Sequence, residues 1–398
     1  MNWKTHFLNY LNGTKYIWKI KDNMAIAIDM IGTNIGSGTK TYNLNFCEYL
    51  DSQNIKENIY IFITKNYLSN INLNFNPKIV YIIKSTILTN IFFRILWMQF
   101  VLPFELRKLK IKKLYAPMNM APVFLKLFNI KLILGLHSNL PWVYFSKMPG
   151  NFLRNIFTKL LMQISIFACD ILIVDSKFAK NEIINLLKIK KNKVFAVHLG
   201  IDKKYLNLDN NENYLDNFEY KNYIISVLSC VKYHNIINLL KAFKILKNEK
   251  NINLKFVFVL QVLDKKYYSI INNFISNNFE KNEIIFLNNL NNKYLINLYR
   301  KATFYIFSSY CEVFGLTSLE AMSQGCPVLI SNKSALPEIN GEAAEYFDPD
   351  NKNKIKDSMF KVLSNLNYRN EIIKKGSIHY KKFRWEKTVK ETIKILEV

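Results

Sequence analysis

Short apolar runs alternate along this chain with longer stretches whose apolar positions recur every three or four residues. The first pattern predicts buried strands and the second predicts helices laid over them. Residues 24–30, 59–64, 79–83, 131–136, 171–175 and 193–198 are expected as strands, with a helix at 42–50 and further helices in the gaps. A second series places strands at 223–228, 256–260, 284–287, 304–308 and 328–331, and helices at 236–247, 293–301 and 317–324, the last closed by Gly325 and Pro327. Such alternation implies parallel sheets, hence an α/β fold. Between the series, around 202–221, the chain turns polar, Asn-rich and locally acidic, as an interdomain linker would. The expected organisation is an extension at 1–23, one domain at 24–202 and another at 203–375, with a ligand cleft between the two.

Length agrees, since 398 residues exceed what one core usually organises. The net charge of +25 favours polyanionic partners, although Lys, Asn and Ile crowd every segment, so biased codon usage also accounts for it. Its distribution is more informative: residues 84–159 hold twelve Lys or Arg against one acid, Glu105, interleaved with Phe92, Phe93, Trp97, Phe100 and Phe104. That mixture suits an anionic membrane surface better than a duplex, and no nucleic-acid module is recognisable. The longest apolar stretch, 91–104, is broken by Arg94 and too short to span a bilayer, and no secretory signal is evident. A cytoplasmic protein, peripheral on the inner membrane face, is expected. Residues 1–23 carry aromatic and Lys residues that would suit a short interfacial helix or a loosely docked terminus. The five cysteines form no C-x-x-C pair, and the five histidines lack H-x-x-x-H spacing, so isolated thiols and no metal are expected.

The candidate chemistry lies mainly at predicted strand ends. Glu312 falls in the loop after the strand at 304–308, and Glu320 lies in the first turn of the next helix. Thr317-Ser318-Leu319-Glu320 reads as a capping box, which alone would account for Glu320. Glu312 has no such explanation, and a carboxylate there suits hydrogen bonding to a polyhydroxylated ligand. His137 ends the strand at 131–136, at the edge where doubly wound sheets bind ligands, and is a candidate catalytic group. The loop at 32–41, GTNIGSGTKT, is neither a P-loop nor G-x-G-x-x-G, and serves equally well as a turn or as a loop for an anion at a helix N-terminus. Asp348-Pro349-Asp350 imitates a D-x-D metal motif but has a central Pro after a short apolar run, the composition of a surface turn.

The segment 308–331, with two glutamates separated by seven residues before a small-residue helix and a P-V strand, resembles the signature of retaining GT-B glycosyltransferases of family four. Residues 336–339 (LPEI), 341–344 (GEAA), 198–202 (HLGID), 175–178 (DSKF) and 383–385 (FRW) are similar to further segments of that family. The resemblance implies two Rossmann-like doubly wound domains facing a central cleft, with a C-terminal helix at 376–398 crossing back to the first domain. It also implies transfer of a sugar from a nucleotide-sugar donor, without a metal cofactor, to a glycan or lipid-linked acceptor. On this basis Glu312 and the amides of Phe314, Gly315 and Leu316 would hold the donor sugar, and Glu320 the ribose. His137 would contact the sugar near the reacting carbon; Gly36, Ser37 and Gly38 would approach from across the cleft. Leu290 would line the donor side, and Asn119 and Ser138 the acceptor side.

Two departures stand out. Where the family carries a basic pair, this chain has Ser229 and His234, leaving Lys232 and a protonated His234 to meet the diphosphate. Asn288 and Val313 replace usual glycines. These changes leave open a non-catalytic scaffold subunit of a glycan-assembly complex.

Overall fold

The computed structural model describes residues 25–31, 37–65, 76–206 and 222–398. The expected N-terminal extension, Gly36 and most of the expected linker lie outside the described residues. One sheet contains β1 (Ala25–Asp29), β2 (Asn58–Thr64), β3 (Ile79–Lys84), β4 (Lys113–Ala116), β5 (Lys131–Leu136), β6 (Ile171–Val174) and β7 (Val194–Ala196), in the order 3-2-1-4-5-6-7. The other contains β8 (Tyr223–Cys230), β9 (Lys255–Val262), β10 (Ile284–Leu287), β11 (Tyr305–Phe307), β12 (Val328–Ser331) and β13 (Glu345–Phe347), in the order 10-9-8-11-12-13. All pairings are parallel. The apolar runs follow from this, because a parallel sheet covered on both faces must be apolar on both. Strand order reverses between β1 and β4 and between β8 and β11, which opens a crevice at the carboxyl edge of each sheet.

Two strands depart from the apolar-run rule. β4 begins with Lys113, which is almost fully buried because its ammonium donates to Glu57 Oε1 at 3.2 Å and to the Leu396 carbonyl at 3.0 Å. A buried cation is tolerable when paired in this way, and it breaks up the hydrophobic signal. β13 is a three-residue edge strand beside β12. The first helix, Ser37–Leu50, begins five residues before the expected start at 42, so Thr39, Lys40 and Thr41 are helical rather than loop.

The chain end ties the halves together. Residue 376 falls inside the helix Leu366–His379, and the helix that crosses to the first domain is Trp385–Glu397. Trp385 is fully buried, 5.5 Å from the Tyr42 ring, and Thr388 Oγ1 donates to the His198 carbonyl at 2.7 Å. Gly200 permits this seam, since a Cβ there would lie 2.1 Å from the Trp385 nitrogen. All five cysteines are buried and unbonded to one another.

Candidate active site

On the first domain's side the site is built around His137, immediately after β5. Its Nδ1 faces both oxygens of Asp175, at 2.9 and 3.0 Å, and Asp175 itself follows β6. A carboxylate can only accept, so Nδ1 carries the proton and Nε2 is the nitrogen left for other chemistry. Nε2 is buried with no hydrogen-bond partner among the described residues. The ring is held by Tyr42, 4.4 Å away, whose hydroxyl meets that of Tyr115 at 2.6 Å. Asn119, in a left-handed conformation, accepts the His137 backbone N–H at 2.6 Å, and Ser138 Oγ accepts from Leu140 N at 3.3 Å. These two expected acceptor-side residues therefore shape the backbone around His137. Ser37 and Gly38 open the first helix; Lys40 is exposed.

On the second domain's side Glu312 lies in the loop after β11. Ser308 Oγ donates to the His234 carbonyl at 2.9 Å and Tyr310 N to the Tyr233 carbonyl at 2.9 Å, which binds this loop to the one after β8. Glu312 N donates to Ser334 Oγ and Ala335 N donates to the Glu312 carbonyl, so the backbone is fixed and only the side chain is partly exposed. Glu312 Oε1 lies 3.2 Å from His234 Nε2, an ion-pair distance without hydrogen-bond alignment. His234 Nδ1 donates to the Ser229 carbonyl at 2.7 Å, so the two residues that replace the basic pair are bonded to each other. Lys232 is exposed at the same loop. Leu290 is half-buried and packs against the core beyond β10.

Phe314 is buried, and Gly315 is required at the N-cap of the helix Leu316–Ser323. Its φ is +93°, and a Cβ would meet Leu336 Cδ2 at 2.6 Å. The N-cap has no side-chain hydrogen bond and the first turn no acid, an electropositive end suited to an anion. The N-cap is therefore Gly315, not the Thr317 of an expected capping box. Thr317 is inside the helix, its hydroxyl paired with Tyr305 at 2.7 Å, and Glu320 lies beyond the first turn, too far along to reach the N-cap amide. Glu320 instead faces Tyr299, whose hydroxyl donates to Oε2 at 3.5 Å. Burial pushes its carboxyl up to about 7, against the opposing pull of the Lys204 ammonium and the Tyr205 hydroxyl.

Contacts across the cleft bring these two edges together. Lys147 Nζ sits 3.7 Å over the Tyr310 ring and 4.8 Å over Tyr144, and His198 lies 5.9 Å from Phe314. Val313 packs against the first domain's core. Glu338 accepts from Lys177 N at 2.8 Å, Phe178 N at 2.6 Å and His198 Nε2 at 2.8 Å. Burial opposes ionisation of Glu338, but these donors outweigh it and hold its carboxyl below the usual range. The sequence shows Asp175 and Glu338 only as parts of the DSKF and LPEI segments, because their His137 and His198 partners are 38 and 140 positions away. For Asp175 the available signal was an Asp at the end of the strand beside the one that carries His137. Asp348 and Asp350 form a turn that shares Lys333, at 3.4 and 4.0 Å.

The profile of the family described as Glycosyltransferase Family 4 matches residues 36–205, and that of Glycosyl transferases group 1 matches residues 209–379. The O-antigen chain mannosyltransferase B of Escherichia coli is 25% identical over 233 residues, 58% of this chain and 61% of that protein, less than two thirds of its length. Sucrose-phosphate synthase from Thermosynechococcus elongatus superposes with a TM-score of 0.74 at 15% identity, covering 94% of this chain and 98% of that one. The Anabaena protein HepE, solved in complex with UDP, superposes with a TM-score of 0.70 at 11% identity, covering 94% of this chain and 99% of its own.

Proposed function

The chain belongs to the group 1 glycosyltransferases of the GT-B fold, and from that premise we propose that it transfers a hexose from a nucleoside-diphosphate sugar to a glycan or lipid-linked acceptor. Transfer proceeds with retention and without a metal cofactor, at the cytoplasmic face of a membrane. The relationship to the E. coli O-antigen mannosyltransferase favours mannose and surface polysaccharide as substrate classes.

The observation that carries this reading is the meeting of two strand edges: Glu312, Gly315 and the uncapped helix end on one side, His137 with Asp175 on the other. A nucleoside diphosphate bound at Glu320 places its phosphates toward the helix N-terminus, where Lys232 and His234 add donors. As the sugar–phosphate C–O bond breaks, its electron pair goes to the diphosphate oxygen, and these groups stabilise that charge. The acceptor hydroxyl forms the new C–O bond and its proton leaves to the departing phosphate. His137 Nε2, fixed in orientation by Asp175, holds a sugar hydroxyl, and Glu312 holds others. Glu312→Ala is expected to abolish transfer while circular dichroism stays unchanged; unchanged turnover would contradict the assignment.

The mutual bond of Ser229 and His234 favours one second reading, a scaffold subunit that does not catalyse. Calorimetry with UDP and GDP separates the two, because a scaffold need bind neither.

A further inference from the structure

The helix Phe152–Ala168 is apolar on the side that faces away from the protein. It buries Asn155, Met162, Ser165 and Ile166, while Leu153, Phe157, Leu160, Ile164 and Phe167 are exposed. These five recur at intervals of four and three, which sets them in one straight stripe about 21 Å long at 1.5 Å per residue. The stripe does not stand alone. Ser165 Oγ accepts from Ala121 N at 3.1 Å, and Gln99 donates to the Ala121 carbonyl and accepts from Val123 N, at 3.1 and 3.0 Å. The strap at 121–128 therefore lies between this helix and the helical segment at 91–108. That segment exposes Phe100 and Phe104, at 64% and 61%; the strap exposes Phe124 and Leu127, the latter at 81%. Phe104 meets Phe128 of the strap at 5.1 Å, so the exposed apolar side chains of the segment at 91–108 continue onto the strap, which the Ser165–Ala121 hydrogen bond ties to the helix that carries the stripe.

Isolated exposed apolar residues are ordinary, but a face of this extent marks an interaction site. Arg107, Lys108 and Arg154 are exposed on the same elements, as is Lys126, whose ammonium lies 3.9 Å from Asp170, and the one acid of the segment at 91–108, Glu105, is engaged by Lys84 at 2.6 Å. A second copy of this chain docked here would bring one cationic rim against another. An anionic lipid surface neutralises the rim and takes up the Phe and Leu side chains together. Among the described residues no helix is long and apolar enough to cross a membrane, so the helices would lie in its plane.

We propose that this face, formed by 91–108, 121–128 and Phe152–Ala168, inserts into the headgroup region of an anionic bilayer. Phe145 packs on Phe152 at 5.7 Å, and the loop that holds it begins at His137 and carries Lys147 to Tyr310 on the donor side. The connection from His137 to Phe152, which includes the short helix Leu140–Val143, thus joins the lipid-facing helix to the cleft, a path for an acceptor tethered to lipid. The identity of the acceptor rests on the proposed function; the docking does not.

The test is co-sedimentation of the full chain with phosphatidylcholine vesicles, with and without about one third phosphatidylglycerol. Because every native cysteine is buried, Leu160→Cys can be labelled selectively with an environment-sensitive fluorophore. The expected result is binding to anionic vesicles only, a blue shift of the label, and at least about a tenfold loss of partitioning in Phe157→Glu. UDP or GDP binding should be the same in Phe157→Glu and the parent chain. Binding insensitive to Phe157→Glu, or a label that stays in water, overturns the proposal. So does a dimer, seen by light scattering, that Phe157→Glu dissociates without any vesicle binding by the parent. Loss of sugar transfer with vesicle binding intact would count against the proposed function alone.

Discussion

The two domains share one architecture and dress it differently. Of the 24 large hydrophobic side chains exposed among the described residues, sixteen fall between Ile87 and Phe167 of the first domain; residues 222–398 contribute six, scattered from Val262 to Val398. The contrast is sharpest between two helices. Leu316–Ser323 buries Leu319, Ala321 and Met322 and offers solvent an uncapped N-terminus, whereas Phe152–Ala168 buries Asn155 and Ser165 and exposes a row of Leu and Phe. The first helix spends its apolar residues on its own core and keeps its end for an anion. The second keeps apolar residues for something outside the chain. In the proposed function the donor half is thus a small-molecule site built on a closed core, and the acceptor half a surface with His137, the proposed catalytic group, at its edge.

This difference can be attacked at several points. On the first domain's side the largest effect is expected at His137→Ala, a loss of about a thousandfold in turnover with folding intact, while Asp175→Asn loses about ten- to a hundredfold; single-turnover transfer assays check both. Next comes the pair that tests the contrast itself. Leu319→Ala should cost about 3 kcal/mol of stability, measured by urea unfolding, whereas Leu160→Ala on the other helix should cost under about 0.5 kcal/mol. Gly315→Ala should cost about 2 kcal/mol from left-handed strain and the clash with Leu336, and should weaken nucleotide binding with it.

A smaller effect is expected at Glu320, and its sign depends on pH. Its carboxyl titrates near 7 in the folded chain, above the ordinary value of 4.5, so ionisation destabilises the fold as pH rises from about 4.5 through 7. Glu320→Gln should therefore be more stable than the parent by about 1–2 kcal/mol at pH 8, with the gain vanishing by about pH 4.5; thermal melts across that range decide it. The same variant should bind nucleoside diphosphate more weakly at pH 8, since the amide cannot accept two ribose hydroxyls.

How much of this could be read from the sequence differs between the halves for the same reason. In the donor half Glu312, Phe314-Gly315 and Glu320 fall within one short segment, so strand, loop and helix could be placed from local pattern. What failed there was local as well: Thr317-Ser318-Leu319-Glu320 has the letters of a capping box, but Gly315 takes the cap position through a backbone conformation the letters do not display. In the acceptor half the site is assembled from distant positions. Asp175 orients His137 from the neighbouring strand, and β4 was hidden because Lys113 finds its partners in Glu57 and the chain's last helix. The apolar run at 91–104 was visible, but that its side chains stay exposed beside the strap and the helix at 152–168 required the three elements to be seen together.

The most direct test of the central claim is transfer of labelled sugar from a panel of UDP- and GDP-hexoses to a lipid-linked acceptor in chelator, with Glu312→Gln beside the parent chain. The account predicts turnover by the parent in chelator, retention at the anomeric carbon, and at least about a hundredfold loss in Glu312→Gln with nucleotide affinity changed only a few-fold. Equal turnover by Glu312→Gln and the parent would contradict it.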